Sequence, residues 1–230
     1  MSEDSIPEWM GSFNLSAPPN TDLWRKPPSY DTSTAPILYT ALRYPFCAAE
    51  VTVSADWELE WDQAGLCIFA GVPPGRLVSG TTHHHPRRSS LEHAADLLPI
   101  YPTLPPASKW VKAGLEFSNN VCHMTSVCAV GEGADWALAP LPYYHARRSD
   151  LRVKLERIGY ALWIWYEDAR LGWTKVREIT YFFWGVSDKA VRVGVYASRP
   201  ANFDFTPGGR RNSGSRDGSL RVEFDGLEIF

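Results

Sequence analysis

From Glu50 onward the dominant rhythm of the chain is a period of two. Val51, Val53, Ala55, Trp57 and Leu59 alternate with Thr52, Ser54, Asp56, Glu58 and Glu60. Successive side chains leave a pleated strand on opposite sides, so this pattern marks a strand with one face in a core and the other in water. Leu151, Val153 and Leu155 alternate with Arg152, Lys154 and Glu156 in the same way, as do Val191, Val193, Val195 and Ala197, and Leu220, Val222 and Phe224. Less amphipathic runs, Ala64–Ala70, Trp110–Phe117, Cys122–Val130, Tyr160–Tyr166 and Glu178–Trp184, are bounded by Gly, Asn, Pro or Asp and read as further strands. One segment predicts a helix: Ser89-Ser90-Leu91-Glu92 has capping-box spacing, and Leu91–Leu98 follows before Pro99 stops it.

Many closely spaced strands with no repeated βα unit predict an all-β fold, either a sandwich of two antiparallel sheets or a closed barrel. The 230 residues fit one domain spanning 1–230. Residues 1–45 are Pro-rich but carry Trp9, Phe13, Leu15 and Trp24, which suits an extended segment packed on a sheet. Residues 72–108 form a long loop insertion holding Pro73-Pro74-Gly75, His83-His84-His85, the short helix and Pro105-Pro106. The Gly/Ser/Arg-rich stretch 206–219 reads as a flexible loop.

Charge narrows the partners. A net charge of −3 and a pI near 6.1 give no basic field to gather phosphates, which argues against nucleic acid. The acidic start Met1-Ser2-Glu3-Asp4-Ser5 leads into no apolar run, so a cytoplasmic protein without a membrane segment is expected. Cys47, Cys67, Cys122 and Cys128 lack C-x-x-C spacing and are expected as small core residues, not as disulfides or zinc ligands. The 10 Trp, 10 Tyr and 10 Phe exceed what such a core needs, so some rings should be half-buried and open to a ligand.

Several phrases carry a family resemblance: Trp24-Arg25-Lys26-Pro27-Pro28, Val51-Thr52-Val53-Ser54-Ala55-Asp56-Trp57, Asp62-Gln63-Ala64-Gly65-Leu66, Trp110-Val111-Lys112-Ala113-Gly114-Leu115-Glu116-Phe117, Ala134-Asp135-Trp136 and Glu223-Phe224-Asp225-Gly226-Leu227. In this order they resemble the fungal regulation-of-enolase protein family. The resemblance implies a concanavalin A-like jelly-roll β-sandwich and a regulatory link to a metabolic enzyme, and it supplies no catalytic residues. The 72–108 insertion and Tyr143-Tyr144-His145 depart from the family pattern.

The strand Trp110–Phe117 is chemically the most informative. Val111, Ala113, Leu115 and Phe117 share one face, leaving Trp110, Lys112, Gly114 and Glu116 on the other. With the apolar side in the core, Lys112 and Glu116 make a polar floor on a concave sheet, and Gly114 lets a ligand approach the backbone. The plainer alternative is a solvated ion pair on an open face. Trp163 and Trp165 form a stacking platform if Leu162, Ile164 and Tyr166 face inward, and are core otherwise. Tyr196, with Gly194 on its face, is a similar wall. Arg157 shares its face with Leu155, so it is either buried beside an acid or near a strand end. His123 and His145 are single candidates for proton transfer.

Other chemistries are disfavoured. Adjacent histidines such as His83-His84-His85 do not converge on one ion, so no metal is expected. No Glu-x-Asp-x-x-Glu run supports a retaining glycosidase, and Glu58 and Glu60 are read as facing water. No Gly-x-Ser-x-Gly occurs, and Gly208-Gly209-Arg210-Arg211 lacks a phosphate-loop ending. The resulting expectation is a cofactor-free concave site, with Trp110, Lys112, Glu116, Trp163, Trp165 and Tyr196 holding a carbohydrate or another small polar-aromatic ligand. The alternatives are a cofactor-independent lyase, isomerase or cyclase using Lys112, Glu116, His123 and Arg157 beneath the 72–108 loop, and a regulatory partner of a metabolic enzyme.

Overall fold

The computed structural model describes residues 9–75, 107–146, 148–201 and 218–230. The alternating segments pair into two antiparallel sheets. One has seven strands: β1 (Trp9–Met10), β2 (Phe13–Ala17), β6 (Ala48–Ala55), β11 (Asp150–Ile158), β12 (Ala161–Asp168), β13 (Gly172–Ile179) and β15 (Leu220–Ile229). The other has six: β5 (Ile37–Ala41), β7 (Gln63–Ala70), β8 (Lys109–Ser118), β9 (Val121–Val130), β10 (Gly133–Pro140) and β14 (Val191–Ser198). Their facing sides make one apolar core in which Val51, Val53, Leu151, Val153 and Leu155 of the first sheet meet Leu66, Ile68, Val111, Leu115, Val193 and Val195 of the second. Apart from Leu66 and Ile68, whose strand is buried throughout, these are the residues that the period of two assigned to the inside, each worth about 1.5–3 kcal/mol when fully buried.

The six-stranded sheet is covered on its outer side as well, which decides where a site can be. The hairpin β3 (Leu23–Lys26)–β4 (Tyr30–Ser33) lies over one half of that face and closes a second core of Leu23, Phe69, Trp110, Val127, Ala129 and Tyr196. Arg25 pins it. Its guanidinium forms a two-point pair with Asp31 at 2.9 and 2.7 Å, donates to the carbonyls of Ala107 and Ser108, and sits 6.0 Å from the centroid of the Trp110 ring. Trp110 Nε1 completes the clasp by donating to Asp31 Oδ1 at 3.2 Å.

Local differences from the pattern have physical causes. β6 ends at Ala55, and Trp57 turns out of the strand to donate from Nε1 to the Ser149 carbonyl at 2.8 Å. The expected strand Glu178–Trp184 is instead the end of β13 and a turn, in which Phe182, Trp184 and Val186 donate their N–H groups to the carbonyls three residues back and Phe182 and Phe183 are both buried. β10 went unread because its exposure does not alternate cleanly. β8 and β9 are joined by Asn119-Asn120, both at positive φ, the backbone of a two-residue hairpin turn that asparagine tolerates. A four-residue helix, α1, spans Tyr143–Ala146. The expected helix Leu91–Leu98, His83–His85 and most of the 206–219 loop lie outside the described residues. No described helix is long and apolar enough to cross a membrane.

Candidate functional site

Residues directly opposed across an antiparallel pair share a face. Register sets Lys112 opposite Cys67 and Val127, with Trp136 beyond Val127, and sets Glu116 opposite Gln63 and His123. Gly114 pairs with Gly65 and Thr125, and Gly65 with Tyr196. All lie on the outer side of the six-stranded sheet, Cys67, Val127 and Tyr196 within the second core that the β3–β4 hairpin closes. Beside that core, Gln63, Lys112, Glu116, Val127 and Trp136 line a cavity of about 330 Å³. Gln63, Lys112, Glu116 and Val127 make its floor, Trp24, Trp61 and Trp136 its walls, and Asp22 and Pro200 its rim.

The floor is built from compensated charges. The Lys112 side chain is fully buried, and its Nζ donates to Asp22 Oδ1 at 2.9 Å and lies 5.4 Å from the Tyr196 ring centroid. A buried ammonium is costly unless paired, so Asp22 and the ring face are what permit it there. The same Asp22 oxygen accepts from Leu23 N–H at 2.7 Å, which ties the start of the hairpin to the floor. Glu116 Oε2 accepts from Thr125 Oγ1 at 2.7 Å and Trp136 Nε1 at 3.2 Å.

Burial pushes the Glu116 carboxyl above its ordinary value of 4.5, outweighing the hydrogen bonds from Thr125 and Trp136 and the attraction of Lys112, while Asp22 adds to the rise. The folded protein therefore holds a proton that the unfolded chain releases, so Glu116 costs stability as pH rises from 4.5 through its raised value. Glu116→Gln removes the ionisation, and its unfolding free energy is expected to fall less than that of the wild type between about pH 4 and 8. Parallel pH profiles of the two proteins would show this role to be wrong.

Trp61 stands in the left-handed backbone region at φ 69°, an uncommon place for a bulky residue, which persists only when neighbours enforce it. The enforcement is visible. Asp62 is fully buried in a two-point pair with Arg199, Nε to Oδ1 at 2.8 Å and Nη2 to Oδ2 at 2.7 Å, and accepts the backbone N–H groups of Glu58 and Leu59. Trp61 N–H donates to the Phe117 carbonyl at 2.8 Å, tying the loop to the end of β8. The indole itself is left half exposed over the cavity.

Of the residues singled out from sequence, Lys112 and Glu116 meet at this site. Trp110 shares their face but is sealed beneath the hairpin. Tyr196 is fully buried and supports the floor from below, its hydroxyl donating to Gln63 Oε1 at 3.4 Å. Gly114 serves backbone packing, not ligand approach. A Cβ there would lie 2.0 Å from the Ala64 carbonyl oxygen, so the close neighbour is the adjacent strand. His123 sits opposite Glu116 but does not line the cavity, and its Nδ1 is buried without a hydrogen-bond partner among the described residues.

Four candidates belong elsewhere. Leu162 and Ile164 do face the core, so Trp163 and Trp165 point outward and stack at 5.9 Å, but from the seven-stranded sheet on the opposite side of the sandwich. Lys154 and Lys175 already lie over their faces, 4.8–5.5 Å from the ring centroids. Arg157 ends β11 on that same sheet, paired with Asp188 at 2.6 Å. Of its two expected placements Arg157 thus takes the one near a strand end, and the buried arginines with an acid are Arg25 and Arg199. His145 also lies away from the floor, where its Nε2 accepts from Ala169 N–H at 2.9 Å and ties α1 to the β12–β13 turn.

Asp22, Trp24, Trp61, Gln63, Trp136 and the Asp62–Arg199 pair were missed. A signal existed: the short phrases that carry the family resemblance contain Trp24, Asp62-Gln63, Lys112, Glu116 and Trp136, residues that the fold gathers into or beneath one cavity.

Comparison with known proteins agrees with this architecture. An uncharacterized protein of Emericella nidulans is 32% identical over 191 residues, covering 83% of this chain and 78% of that protein. A functionally unknown protein from Saccharomyces cerevisiae superimposes with a TM-score of 0.60 at 19% identity, over 96% of this chain and 94% of the other. The GH43 protein BlXynB of Bacillus licheniformis matches with a TM-score of 0.58 at 10% identity, over 95% of this chain but 32% of that one, which establishes a shared jelly-roll fold alone. Residues 5–229 match the family model described as protein of unknown function DUF1349, and with the Emericella relative this makes the chain a member of the DUF1349 family.

Proposed function

We propose that this protein binds a small ligand of carbohydrate size in the tryptophan-walled cavity of its six-stranded sheet. The observation that carries the reading is the coincidence, in one cavity, of Trp24, Trp61 and Trp136 with a hydrogen-bonding floor of Gln63, Lys112 and Glu116. An apolar wall with a few fixed polar groups is the general build of a small-molecule site, and indole faces stack on sugar rings. The jelly-roll resemblance to a domain-sized part of GH43 proteins agrees with the reading without carrying it. A regulatory link to a metabolic enzyme fits the same scheme, with ligand occupancy as the regulated quantity.

The test is a titration of glycosides followed by tryptophan fluorescence and thermal shift. Trp61→Ala and Trp136→Ala are each expected to weaken binding about tenfold or more, at roughly 1.4 kcal/mol per tenfold, with the fold intact. Trp163→Ala, on the other sheet, is expected to leave binding unchanged. The reverse ranking would remove the cavity as the binding site.

A second reading rests on Glu116. A carboxyl whose protonated form is favoured by burial, in a cavity floor, is a proton donor in waiting and would suit a cofactor-independent reaction. Turnover of a bound compound by the wild type, abolished in Glu116→Gln while binding persists, would establish it. Turnover unaffected by that substitution would exclude Glu116 from the chemistry.

A further inference from the structure

We propose that the cavity selects an uncharged pyranose-type sugar, discriminating against acidic sugars and against quaternary ammonium compounds, and that the Asp22–Lys112 pair sets this selection. The inference rests on the binding reading above and concerns the class of ligand.

Charge is settled within the protein. The Lys112 ammonium is held by Asp22 at 2.9 Å and backed by the Tyr196 ring. An anionic ligand would have to compete with Asp22 for that ammonium while lying beside the Asp22 carboxylate itself. Two like charges in a poorly solvated site repel strongly. A cationic ligand meets the opposite obstacle. Three indoles beside Asp22 and Glu116 resemble an aromatic cage for quaternary ammonium, but the floor between them is the Lys112 ammonium itself.

What the floor offers instead is mixed hydrogen-bonding capacity. Among the described residues no donor bonds Asp22 Oδ2 or Glu116 Oε1, because the contacts of these carboxylates fall on Oδ1 and Oε2. Lys112 Nζ has donated one of its three protons to a protein acceptor. Gln63 Nε2 donates to the Trp61 carbonyl at 3.3 Å and keeps a second N–H. Free acceptors and free donors thus stand close together around one floor. Hydroxyl groups, which both donate and accept, satisfy such a set, whereas an ammonium or a carboxylate fits half of it.

The walls add the requirement for a ring with an apolar face. Among the described aromatic contacts, Trp24, Trp61 and Trp136 do not stack on each other or on other rings; Trp24 packs in part against the second core, while Trp61 and Trp136 are exposed. A flat heterocycle without hydroxyls could also stack, but it would leave the floor groups dehydrated and unpaired, which costs affinity.

The full-length protein is titrated with neutral methyl pyranosides, D-glucuronate, choline and indole, each also against Trp61→Ala. The expected result is a Trp61-dependent signal with at least one neutral pyranoside and binding of glucuronate and choline weaker by about tenfold or more. Asp22→Asn frees Lys112 for an anion and should narrow or reverse the preference over glucuronate. Glucuronate, choline or indole binding as tightly as the best pyranoside, with the signal lost in Trp61→Ala, would overturn the selection while leaving the cavity as a ligand site. The absence of any Trp61-dependent signal would overturn both. An unchanged preference in Asp22→Asn would remove the ion pair from the selection.

Discussion

Asp62→Ala is expected to lower the unfolding free energy by about 3–5 kcal/mol, a large share of the total for a protein of this size, because it removes one partner of a buried ion pair. Asp62 and Arg199 are both nearly inaccessible, and the carboxylate also holds the Glu58 and Leu59 N–H groups. The guanidinium would stay in its dry site with the Gly218 carbonyl at 2.8 Å and the more distant Glu58 carboxylate at 3.6 Å. The loop carrying Trp61 would lose its anchor, so ligand binding should fall even under conditions where the fold survives. Equilibrium denaturant unfolding measures the first effect and titration the second. The double variant Asp62→Leu, Arg199→Met should recover much of the stability, since apolar replacement of a buried pair is often neutral, but not the binding. A loss below about 1 kcal/mol for Asp62→Ala would place the pair among solvated surface bridges, contrary to its burial.

The second large effect is expected from Gly114→Ala. An added Cβ would lie 2.0 Å from the Ala64 carbonyl oxygen and 2.7 Å from Gly65 Cα, and the reciprocal Cβ on Gly65 would lie 2.1 Å from the Ala113 carbonyl oxygen. The obstacle is backbone, so no rotamer change can relieve it. β7 and β8 would have to separate in the middle of the six-stranded sheet, between the residues that form the floor. Core overpacking costs about 1–3 kcal/mol when side chains can adjust, and a backbone clash should reach or exceed the upper end. Gly11→Ala is the control: its Cβ would approach nothing closer than 3.6 Å, and a change within about 0.5 kcal/mol is expected. Equal melting temperatures for Gly114→Ala and wild type would show that the strands have slack the structure denies.

Both effects bear on what could be known from the chain alone. The inward and outward faces of β6, β8, β11, β14 and β15 were legible, because a pleated strand with one buried side repeats every two residues whatever its neighbours are. The outward placement of Lys112 and Glu116 followed from that rule, and the core position of Leu162 and Ile164 was one of its two allowed readings. β10 and the end of β13 were not legible, since an edge strand with two partly wet faces and a turn with two adjacent buried phenylalanines both break the alternation.

The sequence by itself determined which side of β6, β8, β11, β14 and β15 faces the core, and it named two residues of the floor. Tertiary structure decided everything that depends on which strands are neighbours. It put Trp163 and Trp165 on the far sheet, covered Trp110 with the hairpin, sank Tyr196 beneath Lys112, and brought Trp24, Trp61 and Trp136 from three separate segments around one cavity. The reason is physical. Alternation is a property of one strand's own geometry, whereas the walls of a site are set by register and by what packs over the sheet. Those depend on long-range contacts that no local window contains.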